Sequence, residues 1–158
     1  MPEGIRLLLG GDSAGYQYKD AILADAREDP RVASVEDLGV NEADPKAGTY
    51  PSVAIAAATK IAAGEADRAI LVCGTGIGVA ISANKVKGIR ATVAHDSYSV
   101  ERSILSNDCQ ILTMGQRVVG VELARRLARE WLGYAFDPAS HSKANVDEIV
   151  TYEGASSD

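Results

Sequence analysis

Five short apolar runs, each followed by a stretch of helical period, succeed one another along this chain. The runs cover residues 5–9, 32–37, 68–73, 89–94 and 110–114, and the helical stretches cover roughly 15–28, 52–63, 77–85, 98–105 and 119–132. That alternation is the signature of βαβ units closing a parallel sheet. Strands buried on both faces become near-continuous apolar runs, while the crossover helices keep a single apolar stripe. The chain therefore reads as α/β, a doubly wound five-stranded parallel sheet of Rossmann or flavodoxin type. A further helix over 143–152 has no strand to follow and is expected to pack on a partner subunit.

A chain of 158 residues can bury one full core but has no room for a second catalytic domain. Residues 1–153 are read as one domain and 154–158 as a frayed tail. In the fifth helix Val121, Ala124, Leu127, Ala128 and Trp131 form the apolar stripe, which leaves Arg125, Arg126, Arg129 and Glu130 on a solvated face.

The formal charge of -6 argues against a nucleic-acid partner, because binding a phosphate backbone needs clustered excess Lys and Arg. Any bound phosphate must be met locally. With Cys73 and Cys109 the only cysteines, no disulfide framework is expected. With no signal peptide or long apolar run, the expected setting is the cytoplasm, with no membrane contact. His95 and His141 are the only histidines and form no zinc spacing with the cysteines, so neither metal nor cofactor is expected.

In open α/β sheets, ligands sit beyond the carboxyl ends of the strands. Here those ends carry Gly11-Asp12-Ser13-Ala14-Gly15, Cys73 to Gly78, His95-Asp96-Ser97 and Gly115-Gln116-Arg117. The segment Cys73-Gly74-Thr75-Gly76-Ile77-Gly78 has three glycines at alternate positions, which free the backbone to point N–H groups at an anion above a helix N-terminus. A thiol at such a mouth can act as base or nucleophile, since N–H donors and a helix dipole favour a thiolate. Read alone, Cys73 is equally a buried cysteine at the end of a strand. The loop is neither a dinucleotide fingerprint nor a Walker loop, because the first needs glycine at Val79 and the second needs Gly-Lys-Ser/Thr.

Asp12 and Ser13 read equally as helix caps and as substrate ligands. Asn107-Asp108 can be only a turn, while Arg117, just past the fifth strand, is placed for a phosphate. His95, beside Asp96 at a strand end, reads equally as a site residue and as a satisfied polar group. His141 lies in a segment whose place the pattern does not fix.

Taken together, these residues resemble the type B ribose-5-phosphate isomerases and the related galactose-6-phosphate isomerases. The resemblance runs in order through Asp12-x-Ala14-Gly15 with Lys19, Thr49-Tyr50-Pro51, and Cys73 to Gly78 with Ser82-Ala83-Asn84-Lys85. It continues through Gly88 to Ala91, Asn107-Asp108, and Gly115 to Gly120 with Glu122 to Ala124. It implies metal-free isomerisation of a small phosphosugar through a cis-enediol, in a homodimer or tetramer with active sites at the subunit interface. Carried onto this chain, Cys73 is the base and Thr75 assists proton transfer between oxygens. The loop from Gly74 through Gly76 and Ile77 to Gly78 holds the enediolate. Asp12, Tyr50 and Asn107 orient hydroxyls, and Arg117 meets the phosphate.

The chain also departs from that pattern. Ser13 stands where the family usually has histidine after the loop aspartate, and Ser106 stands where it usually has the ring-opening histidine. The stretch His141-Ser142-Lys143-Ala144-Asn145 replaces the one that carries two phosphate-binding arginines. A hydroxyl cannot shuttle protons near neutral pH as imidazole does. A pentose phosphate needs its ring opened, whereas an aldotetrose phosphorylated on O4 cannot close a furanose. The departures therefore point to D-erythrulose 4-phosphate and D-erythrose 4-phosphate. Ribose 5-phosphate with His95 opening the ring is the alternative. A non-catalytic phosphosugar-binding subunit is the third reading, against which Cys73 and Thr75 weigh.

Overall fold

The computed structural model describes residues 3–154. Its elements run β1 (Ile5–Gly11), α1 (Tyr16–Arg27), β2 (Val32–Gly39), α2 (Tyr50–Ala62), β3 (Arg68–Cys73) and α3 (Ile77–Ala83). They continue as β4 (Ala91–Val93), α4 (Ser97–Leu105), β5 (Ile111–Gly115), α5 (Val121–Leu132) and α6 (Lys143–Glu153). The five strands form one parallel sheet in the order β2-β1-β3-β5-β4. The α/β doubly wound reading holds.

Crossover handedness decides which helix lies on which face. The chain steps from β1 to β2 in one direction and from β2 to β3, then β3 to β4, in the other, so right-handed connections put α1 opposite α2 and α3. The step back from β4 to β5 returns α4 to the side of α1. The cores follow. Ile22, Leu23 and Ala26 of α1, Val100 and Ile104 of α4 and Leu127 and Trp131 of α5 bury one face of the sheet. Val53, Ala57 and Ala58 of α2 and Val79 and Ala83 of α3 bury the other. Alternation along β3 sends Ile70 and Val72 to the first core and Ala69, Leu71 and Cys73 to the second.

Several boundaries differ from the sequence expectation. β1 and β2 run on to Gly11 and Gly39, because the bare backbones at Gly10 and Gly39 leave room for Val53: a Cβ at either would lie 2.6 Å from a Val53 methyl. β4 is three residues long where six were expected. At its start the Gln110 side chain takes the Arg90 N–H at 2.8 Å and donates to the Gly88 carbonyl at 2.9 Å, while the Arg90 carbonyl still accepts the Gln110 and Ile111 N–H groups at 3.1 and 3.3 Å. α2 begins at Tyr50, two residues early, because Thr49 and Ser52 form a reciprocal capping box with Pro51 in the first turn. α5 starts at Val121, since Val118 and Val119 turn back onto the Gly115 carbonyl.

α1 is capped at Gly15 with no side-chain cap bond, so neither Asp12 nor Ser13 serves as the helix cap considered above. The expected solvated face of α5 is partly paired, with Arg125 and Arg129 both on Asp25. Gly154, placed in the frayed tail by sequence, closes α6 in the left-handed conformation, and the rest of that tail, 155–158, lies outside the described residues. No described helix is long and apolar enough to cross a membrane.

Candidate active site

The carboxyl ends of β1, β3 and β5 meet at the point where the chain leaves β1 for one side of the sheet and later returns to β3 on the other. Three backbones crowd together there. A Cβ on Gly15 would fall 2.1 Å from the Val72 carbonyl oxygen, and one on Gly115 would fall 2.6 Å from the Thr75 backbone. Only glycine lets the loops after β1 and β5 close on the loop after β3. Gly76 turns that loop with φ of +79° over Met114, which places Ile77 at the start of α3.

The loop is held from behind. The Gln116 N–H donates to the Cys73 carbonyl at 2.9 Å and the Arg117 N–H to the Gly74 carbonyl at 3.0 Å. The fully buried Thr113 hydroxyl donates to the Gly76 carbonyl at 2.7 Å. With its carbonyls tied back, the loop turns its donors forward. The N–H groups of Gly74 and Thr75 have no acceptor among the described residues. Cys73 is 4% exposed, and its Sγ accepts the Gly76 N–H at 3.1 Å, which fixes the direction of the sulfur. The Thr75 side chain is exposed beside it and its Oγ1 accepts the Ile77 N–H at 3.2 Å.

Around this loop the fold gathers most of the residues expected from sequence. Tyr50, at the first turn of α2, lays its ring against Gly78, where a Cβ would come within 2.5 Å of it. Arg117 lies over Gly74, its Nη1 3.2 Å from where a Cβ would be, and it has no carboxylate partner among the described residues. Asp12 is half-buried on the opposite flank, with Oδ1 accepting the Ala14 N–H at 2.9 Å, and Ser13 is exposed next to it. Gly15 on the Val72–Cys73 peptide ties that flank to β3.

Three residues behave otherwise. His95 does sit at the carboxyl edge, but its Nε2 accepts the Gly115 N–H at 2.9 Å, so it is a neutral imidazole spent on the backbone. Burial lowers its pKa from the usual histidine value, against a smaller opposing pull from Asp96. Asn107 follows α4, its amide donating to the Arg102 carbonyl at 3.2 Å and its own carbonyl accepting from Arg90. It precedes β5, at the far end of that strand from Gly115, so the length of β5, about 13 Å, separates it from the loop. His141 is exposed just before α6, whose Lys143 and Val146 line one cavity with Ile5 and Arg68 at the amino ends of β1 and β3. Neither Asn107 nor His141 faces the Cys73 of its own chain.

Sequence reading missed Thr113, although a hydroxyl inside the apolar run 110–114 was a visible signal. Lys19, named above only as a marker of the resemblance, is fully buried, and its ammonium contacts Asp37 at 2.9 Å and Asp20 at 2.6 Å and ties α1 to β2. Among the described residues no three His, Cys, Asp or Glu side chains converge as metal ligands. Cys109 is inert by environment, since burial pushes its thiol up to about 11.

A thiol that can take a proton, forward N–H donors that can hold an oxyanion, and a free guanidinium one residue-width away suit proton transfer next to a carbonyl in a phosphorylated substrate. Comparison with known proteins agrees. Residues 7–149 match the family model described as Ribose/Galactose Isomerase. The chain is 62% identical over 151 residues to D-erythrulose-4-phosphate isomerase 2 of Mycolicibacterium smegmatis, covering 96% of this chain and 99% of that one. It is 38% identical over 148 residues to ribose-5-phosphate isomerase B of Escherichia coli, covering 94% and 96%. The type B ribose 5-phosphate isomerase structure from Leishmania infantum superimposes with a TM-score of 0.88 at 32% identity, over 96% of this chain and 97% of that one.

Proposed function

The chain belongs to the Ribose/Galactose Isomerase family and is a sugar-phosphate isomerase, and from that premise we propose that it interconverts D-erythrulose 4-phosphate and D-erythrose 4-phosphate with Cys73 as the base. The carrying observation is His95. It is the one imidazole at the carboxyl edge, and it is spent on the Gly115 N–H. With serine at 13 and 106, the chain that supplies Cys73 has no free imidazole to open a furanose ring, and a tetrose phosphate needs no ring opening. The 62% identity to a D-erythrulose-4-phosphate isomerase supports the same substrate.

In this reading Cys73 acts as a thiolate, which takes the proton from one carbon of the carbonyl–carbinol pair to become a thiol and returns it to the other carbon. The N–H groups of Gly74 and Thr75 hold the enediolate oxygen as charge develops there, a contribution of about 3–4 kcal/mol per donor. The Thr75 hydroxyl passes the proton between oxygens, Asp12 and Tyr50 orient hydroxyls, and Arg117 takes the phosphate as a guanidinium fork. Asn107 and His141 then act from a second copy of the chain. An open, one-sided loop is what a site completed at a subunit interface would look like in a single chain. The two buried, unpaired cysteines suit a reducing cytoplasm.

The test offers purified protein D-erythrulose 4-phosphate and ribose 5-phosphate in parallel, with Cys73→Ala beside it. Turnover should favour the tetrose phosphate, and Cys73→Ala should lose about 10²–10⁴-fold in kcat. Faster turnover of ribose 5-phosphate would overturn the substrate assignment, and full activity in Cys73→Ala would overturn the base.

A further inference from the structure

A cavity of about 490 Å³ runs along the unpaired edge of β4, with Arg90 and Arg102 as its cations and Thr92, Ser99 and Asn107 among its neutral polar groups. The two guanidinium groups are held very differently. Arg90 is committed to the protein: Nε and Nη2 donate to the carbonyls of Asn107 and Asp108 at 2.8 to 3.1 Å, with the Asp108 carboxylate 3.5 Å away. Arg102 is held by Glu101, at 2.7 and 3.1 Å, in an ion pair whose two side chains are each more than a third exposed, and otherwise only by one long side-chain contact. Such a pair contributes little and exchanges easily for a stronger anion. Its remaining nitrogen, Nη1, lies 3.4 Å from the Ser106 hydroxyl, and its carbonyl accepts the Asn107 amide. Arg102 and Asn107 thus line the open cavity together, and the Ser106 hydroxyl contacts the Arg102 guanidinium.

We propose that Arg102, with Ser106 beside it, is the specificity-determining residue that meets the phosphate ester of a four-carbon substrate. The proposal rests on the reading above, in which Asn107 faces the substrate from a second copy, because whatever surrounds Asn107 then surrounds the substrate too. The chemistry turns on one oxygen. In an aldopentose 5-phosphate, O4 closes the ring and needs a group that gives and takes a proton. In an aldotetrose 4-phosphate, O4 is the ester oxygen and carries a dianion. Beside such an O4 a proton shuttle is useless and a permanent cation is useful. A guanidinium does not titrate in the physiological range, and its planar fork matches phosphate oxygens. The small Ser106 side chain meets Nη1 only at 3.4 Å, a long contact that yields to a phosphate oxygen. Arg117 and Arg102 would then grip the same phosphate from two chains, making up for the arginines missing around residues 141–145.

Steady-state kinetics with D-erythrulose 4-phosphate test this in wild type, Arg102→Gln and Arg102→Lys, with inorganic phosphate as competitive inhibitor. Arg102→Gln should raise KM about ten- to a hundredfold, the loss expected for one charge-assisted contact. The inhibition constant of phosphate should rise with it, and kcat should change less. Arg102→Lys should fall between, since it keeps the charge and loses the fork. Both variants change a half-exposed side chain, and matching melting temperatures would show that they fold. Unchanged KM and unchanged phosphate inhibition in both variants, with the tetrose preference of the wild type intact, would overturn this inference alone. A wild-type preference for ribose 5-phosphate would overturn it together with the reading it rests on.

Discussion

The carboxyl edge of the sheet and the outer edge at β4 are built in opposite ways. At the carboxyl edge, glycines let three loops touch backbone to backbone, the carbonyls of Cys73, Gly74 and Gly76 are all bonded, and Cys73 is nearly enclosed. At the outer edge, β4 is three residues long and has no strand on one side, where only the Asn84 amide meets Ala91, Asn107 is exposed, and Ile81, Tyr98 and Ile149 leave apolar surface uncovered. One region is braced within the chain. The other is left open. On the proposed shared-site reading, the contrast separates the chemistry, which one chain holds rigidly, from substrate selection, which depends on what the open edge is placed against.

The sharpest way to break the first half of that contrast is to add a methyl group where backbones meet. Gly15→Ala would drive Cβ to 2.1 Å from the Val72 carbonyl. It should cost about 3 kcal/mol or more and lower the melting temperature by about 6–12 °C, with loss of activity. The control is Gly120→Ala, where a Cβ meets nothing within 4 Å, and there the change should stay within about 1 kcal/mol. Equal losses in the two variants would mean that the close approach at Gly15 is not what holds the loops.

A smaller effect comes from pH. His95 holds Gly115 in its neutral form, and burial lowers its pKa in the folded chain. As pH falls, the unfolded chain takes up the proton first. The stability that His95 contributes is therefore complete above about pH 6.5 and is lost as pH drops through the lowered folded value. Thermal melts should show this decline, and His95→Gln, which cannot take up the proton, should flatten it. An acid decline equally steep in His95→Gln would place the titrating group elsewhere.

The two regions also differed in how far they could be read from sequence. Cys73 to Gly78, Gly15 and Arg117 announce themselves because their roles are local, set by strand ends and by the freedom of glycine. The order of apolar runs was enough for the parallel sheet, since crossover geometry leaves few alternatives. What escaped depends on contacts distant in sequence. The Gln110 side chain reaches back to residues 88 and 90, and Thr113 of β5 acts on a carbonyl in the loop after β3. His95 could not be told from a catalytic histidine until Gly115 was seen to occupy its Nε2. Arg102 gave no signal at all in sequence, lying among ordinary polar residues of an amphipathic helix.

The claim that one chain supplies the base and another supplies Asn107 can be tested by mixing two inactive variants. Cys73→Ala and Asn107→Ala are each purified, combined, and allowed to exchange subunits. If the site is shared in a dimer, half of the random dimers are mixed and each mixed dimer rebuilds one intact site, so activity should return to about a quarter of wild type. If exchange occurs, both variants are folded, and no activity returns, then Cys73 and Asn107 do not meet across an interface and the shared-site arrangement is wrong.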